Sequence, residues 1–316
     1  LSNQLFAVVK EKLQMRAIFF NATAQLRTGW RLLLFIALVA VAGRLIGVIR
    51  RLTGLPREIV DGVVQPIPEL LIGILIIFSV LGILALLFRW FEKRPLSTIG
   101  LPFSKPWLRG MSTGFTIGGL NIAIYVLILL INGNAHISLS GLTIFNLLQS
   151  TLPLFIALLA FSGWEELAMR GYSLQMFAEA WGPHPAAIIT GVIFGLLHIE
   201  NPGASIPGLV FTAIGGVLLA WLVIRTGSLW IAWGYHAGWN IVAALLFGLR
   251  VSGMDHPGAI LETQISGENW LAGGDYGFEG STIIGCIEFM VLSVTVILAN
   301  HLPGHPDLIR YFKGKF

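Results

Sequence analysis

Charge is what this sequence has least of. Only 11% of its 316 residues are Asp, Glu, Lys or Arg, against 55% hydrophobic residues and a mean hydropathy of +0.81. A soluble chain carries about 25% charged residues, and a soluble surface must be wetted, so a large soluble globule is excluded. Cysteine is nearly absent. The single Cys286 excludes an internal disulfide, argues against a cysteine metal cage, and reads as a small apolar helix residue. No internal repeat, low-complexity tract or soluble domain is visible. Nor is a cleavable signal peptide: residues 5–27 mix Lys10, Lys12, Arg16 and Arg27 with apolar residues, unlike a signal sequence. They read as an interfacial amphipathic lead-in.

What is present is apolar residues in long blocks. Eight stretches near 30–49, 67–88, 110–131, 143–163, 185–200, 206–224, 229–249 and 281–301 are long enough, or nearly so, to cross a hydrocarbon core of about 30 Å. They predict an all-α fold, a polytopic membrane helical bundle of about eight transmembrane helices. The fifth stretch is short, which suggests shielding by protein rather than lipid. Small residues recur at helix-packing spacing, as in Gly114/Gly118 and Gly234/Gly238. With the N-terminus inside, the inner segments hold 15 Lys/Arg and the outer loops four, Arg50, Arg51, Arg57 and Arg250. That asymmetry predicts cytoplasmic termini. Segment 250–280 is then an acidic outer loop, with turns at Gly273, Gly274, Gly277 and Gly280.

Three clusters place ionisable groups where each costs at least about 2.5–3.5 kcal/mol on insertion scales. They are Phe161-Ser-Gly-Trp-Glu165-Glu166-Leu-Ala-Met-Arg170, Phe194-Gly-Leu-Leu-His198 and His236-Ala-Gly-Trp-Asn240. Glu166 and Arg170 are i,i+4 and can pair on one face. Glu165 is turned about 100° away and has no local cation, so it is free to face a substrate or a water. His236 and Asn240 share the same spacing, and so do Phe194 and His198, with Phe194 expected beneath the imidazole. Plainer readings stand beside these: a packing histidine bonded to a backbone carbonyl, or a purely structural Glu166–Arg170 pair. For the clusters to meet at one depth, the 165–198 hairpin must project about 10 Å beyond the seventh span. This predicts a site opening to the cytoplasm.

Glu, two His and Asn, without a Ser or Cys nucleophile, suggest hydrolysis by attacking water. A carboxylate beside a His can deprotonate water. A second His with an Asn can stabilise the oxyanion, each donor contributing roughly 3–4 kcal/mol in a dry site. Zinc held by Glu165, His198 and His236 is an alternative, weakened by the lack of H-E-x-x-H. Ser162 lies outside any G-x-S-x-G elbow. A proton-relay transporter is a rival of another class, with no inverted repeat to support it.

Together, Glu165-Glu166-x-x-x-Arg170, Phe194-x-x-x-His198 and His236-x-x-x-Asn240 resemble the three motifs of the CPBP family of CAAX proteases and bacteriocin-processing enzymes. The resemblance spans about residues 145–250, and residues 270–280 resemble a loop in bacterial members. It implies an eight-helix intramembrane endopeptidase with Glu165 as general base and His198 helping to activate the water. His236 and Asn240 would form the oxyanion hole, with Glu166, Arg170 and Phe194 in support. It also implies lead-in 1–29, N-terminal helices 30–140, catalytic core 141–303 and a cytoplasmic tail 304–316. The family is named for metalloproteases, but the glutamate–water route needs no cofactor; zinc remains the alternative. The expected partners are membrane lipid and peptide or protein substrates, prenylated or membrane-anchored ones included, and not nucleic acid. The expected location is a bacterial plasma membrane. A non-catalytic immunity factor or scaffold on the same fold is the alternative function.

Overall fold

The computed structural model describes residues 18–21, 25–56, 59–60, 63–101 and 107–314. The lead-in expected over 5–27 falls largely outside them. Six helices are long and apolar enough to cross a membrane. They are α1 (Thr28–Thr53), α2 (Pro66–Glu92), α3 (Trp107–Ile131), α4 (Ile144–Trp181), α6 (Ile206–Thr226) and α8 (Thr282–His301). Two shorter helices complete the set of eight: α5 (Pro183–Leu196) and α7 (Leu229–Ile241). The chain is a helical membrane bundle, and each expected apolar stretch has its helix.

Local chemistry fixes many of the ends. Pro66 opens α2 and Pro183 opens α5, where proline lacks only an amide that would be unpaired anyway. The Thr143 hydroxyl accepts from Asn146 N at 3.2 Å to cap α4, and Ser205 accepts from Gly208 N at 3.3 Å to cap α6. Gly54, at φ 66°, ends α1 beside Arg50 and Arg51. Two helices widen into π turns at the motif residues, one of them containing Arg170 and the other following Asn240. One covers Leu167–Ser173 inside α4, and the other, Val242–Leu246, extends α7. Such insertions are frequent at functional sites, and nothing in the periodicity announced them.

Alternating helices sort the connections to two ends of the bundle. At one end Leu229 N donates to Gly100 O at 2.9 Å and His305 N to Thr226 O at 2.8 Å; this end carries the C-terminal segment. At the other, Val64 N donates to Asp255 O at 2.8 Å, and strand Ala135–Leu139 pairs antiparallel with Leu261–Ile265. The sequence analysis read 250–280 as an acidic outer loop with turns at its glycines and did not foresee this pairing. The sheet forms because 132–143 and 247–281 leave the bundle on the same side.

Two features hold the core. The glycines of α3 and α7 face each other. A Cβ on Gly114 or Gly118 would overlap the carbonyl oxygens of Ile231 and Tyr235, and one on Gly234 or Gly238 those of Met111 and Phe115. The two backbones therefore meet directly. At the end bearing the C-terminal segment, Arg31 is 3% exposed and bonds Glu92 at 2.6 Å and Glu179 at 2.5 Å. Tyr172 donates to Glu92 at 3.0 Å and Arg94 to Gln175 at 2.7 Å. This network ties α1, α2 and α4 together. α4 has 38 residues, about 57 Å at 1.5 Å per residue, well beyond a hydrocarbon core of about 30 Å. α4 is thus longer than a single crossing needs.

Candidate functional site

The close α3–α7 contact turns His236, which lies between Gly234 and Gly238, toward α4. Three bonds then join α4 and α7. Trp233 Nε1 donates to Leu159 O at 2.8 Å, His236 Nδ1 lies 3.0 Å from Glu166 Oε1, and Asn240 Nδ2 donates to Ser162 Oγ at 3.2 Å. The motifs of α4 and α7, read separately in the sequence, thus share one interface.

Glu166 is the buried acid of the Glu165–Glu166 pair. Its Oε1 accepts from Arg170 Nη1 at 2.9 Å as well as facing His236, and both Glu166 and Arg170 are fully buried. Its Oε2 and the Arg170 Nε and Nη2 have no protein partner. The i,i+4 pairing holds although the π turn begins at Leu167. Glu165, a quarter exposed at its side chain, makes no hydrogen bond; its Oε2 stands 3.8 Å from His236 Nε2. That gap exceeds a direct hydrogen bond, and both atoms face the same space. His236 therefore sits between two carboxylates, one on each ring nitrogen.

Phe194 joins the third motif to the other two. Arg170 Cζ lies 4.2 Å from its ring centroid, within cation–π range. The ring meets His198 edge-on at 4.8 Å and His236 at 5.9 Å. The contact with His198 matches the expected packing, but the expected helical stacking needs correction. α5 stops at Leu196, so His198 stands in the turn beyond it. Its Nδ1–H donates to Phe194 O at 2.8 Å, satisfying a carbonyl left open by the helix end. The plainer reading of a histidine bonded to a backbone carbonyl thus holds for that nitrogen. The bond leaves Nε2 with its lone pair.

A cavity of ≈ 50 Å³ opens beside these groups, bordered by Phe194, His198, Tyr235, His236, Glu279 and Glu288. It has room for about three or four waters at roughly 10–15 Å³ each, not for a peptide. Glu165, Glu166 and Asn240 do not border it. Ser252 and Glu279 line it on the side of the 250–280 segment, at the end of the bundle away from the C-terminal segment. Glu279 is itself anchored, accepting from Trp239 Nε1 at 3.1 Å and Ser252 N at 2.5 Å. Glu288, inside the last span, escaped the sequence analysis because one acid hardly lowers the hydropathy of its block. Its position in mid-span was the available signal. Among the described residues no three His, Cys, Asp or Glu side chains gather closely enough to hold a metal ion. The alternative zinc set of Glu165, His198 and His236 does not fit as these side chains stand.

Residues 146–242, just under a third of the chain, match the family model described as type II CAAX prenyl endopeptidase Rce1-like. The match includes all seven motif residues. No curated protein matches the chain significantly.

Proposed function

We propose that this chain, whose residues 146–242 match the type II CAAX prenyl endopeptidase Rce1-like model, is an intramembrane endopeptidase that works by a glutamate–water mechanism. The observation that carries the reading is the approach of Glu165 Oε2 to 3.8 Å from His236 Nε2, which lets both atoms reach one water lying beside them. Glu165 takes a proton from that water as its oxygen adds to the scissile carbonyl carbon. The C–O bond forms and the carbonyl π pair moves to oxygen. Two donors suit the oxyanion: the Nε2–H of protonated His236, and the Asn240 amide N–H not used on Ser162. Glu166 and Arg170 act as positioning residues, holding the imidazole through Nδ1. The C–N bond then breaks, and the proton on Glu165 passes to the leaving amine. His198, with Nε2 free, is a second proton acceptor beside the same histidine. No step calls for a metal.

The proposed substrates are peptide segments of membrane-anchored proteins, prenylated ones included. The proposed setting is a bacterial plasma membrane with both termini cytoplasmic. The test is cleavage of quenched peptides, prenylated and plain, by purified protein with and without a strong chelator. The expected result is cleavage that survives the chelator and falls about 10²–10⁴-fold in Glu165→Gln, the range for a lost general base. Activity lost to chelator and restored by zinc would replace this mechanism with the metal one. A cellular phenotype intact in Glu165→Ala would favour the non-catalytic binding protein.

A further inference from the structure

Two side chains in the wall of the small cavity, and one atom beside it, have no hydrogen-bond partner among the described residues. Glu288 is 9% exposed, and no hydrogen bond or ion pair among the described residues reaches it. The Tyr235 hydroxyl, 2% exposed, is likewise unpartnered. Beside the wall lies Arg170 Nη2, without a partner although Arg170 Nη1 bonds Glu166. α6 makes room for two of these groups with glycine. A Cβ on Gly215 would run into the Glu288 carboxyl, and one on Gly216 would come within 3.1 Å of Arg170 Nη2. A carboxyl and a phenol do not persist unpaired inside a membrane bundle, and a guanidinium does not leave an N–H unused there, because burial without hydrogen bonds is too costly. The cavity is lined largely by apolar residues but has Glu288, the Tyr235 hydroxyl, His236 and Glu279 in its wall and room for a few waters, so water is the partner that satisfies them. The nearby Arg170 guanidinium makes a metal cation a poor occupant.

Hydrolysis consumes one water per peptide bond, and an intramembrane site must obtain it through protein. His236 forms part of the cavity wall and also stands 3.8 Å from Glu165, so a single imidazole separates the cavity from the attacking position. We propose that this cavity is the water chamber of the site, that Glu288 holds its water, and that it feeds Glu165 and His236 from the 250–280 end. The feeding role rests on the peptidase reading; the hydration of the chamber does not.

X-ray hydroxyl-radical footprinting of the purified full chain tests hydration directly, since radicals made from bound water mark the side chain beside it. Tyr235 is expected to be marked in wild type and several-fold less in Glu288→Leu, and the mark is expected to return in Glu288→Gln, whose amide still holds water. Peptide cleavage should follow, with kcat down about tenfold or more in Glu288→Leu and KM unchanged, the pattern of a function used only after binding. Melting temperatures like wild type show that each variant is folded. An unmarked Tyr235 in folded wild type overturns the proposal, whatever the cleavage assay gives. So does a marked Tyr235 with full cleavage by Glu288→Leu. A Glu288-dependent mark in a chain that cleaves nothing keeps the chamber and removes the peptidase reading instead.

Discussion

His236 has a carboxylate at each ring nitrogen, and the two contacts differ in kind. The Glu166 contact is short, dry and backed by Arg170; the Glu165 contact is long and partly exposed. Removing the cation behind the dry contact leaves a buried carboxylate uncompensated, at a cost of about 3–5 kcal/mol. Arg170→Met should therefore lower the melting temperature in detergent, and adding Glu166→Gln should recover part of the loss. A double variant no more stable than Arg170→Met would show that the pair does not act as such. At this scale the sequence disclosed what lies within one helix turn, the Glu166–Arg170 pair and the Phe194–His198 contact. It could not disclose the His236–Glu166 bond, whose partners lie 70 residues apart. Nor could it show that Asn240 would spend an amide proton on Ser162.

The helices carry the site by how closely they approach. α3 and α7 meet through Gly114, Gly118, Gly234 and Gly238, and the sequence analysis noted these pairs without knowing that they faced each other. Gly238→Ala should cost about 1–3 kcal/mol through overpacking and lower cleavage by moving His236. Gly82→Ala, where a Cβ meets nothing within 4 Å, should be neutral or slightly stabilising, since alanine is the better helix former. Equal melting curves for the two variants would contradict this account. Apolar block length located the helices α1 to α8, because burial in lipid writes itself into hydropathy. It missed the π turns at 167–173 and 242–246 and overran the end of α5, since both depend on backbone bonds that composition does not encode.

Over the whole molecule, the two ends of the bundle are built differently. At one end ion pairs close the structure. Arg31, counted in the sequence only as a topology signal, is buried against Glu92 and Glu179. Arg31→Ala should destabilise by about 3–5 kcal/mol through the stranded acids, readable as a lower melting temperature. At the other end the 250–280 segment folds over the cavity, and there burial pushes His256 down to about 4, against an ordinary value near 6.5. The unfolded chain takes up this proton as pH falls below about 6.5, and the folded chain does so only near 4. Stability is thus complete above 6.5 and is lost progressively toward pH 4. The melting temperature should fall over that window, and His256→Gln should flatten the fall. An unchanged slope would mean that other groups set it.

The sheet joining Ala135–Leu139 to Leu261–Ile265 also sets an order of events during synthesis. At roughly 5–20 residues per second, the second strand leaves the ribosome about 6–25 s after the first. For that interval the earlier strand has an open edge and α3 lacks its glycine-faced partner, so both wait unpaired at the membrane. The nascent first half is then the stage most dependent on insertion machinery, and the last third of the chain is what releases it.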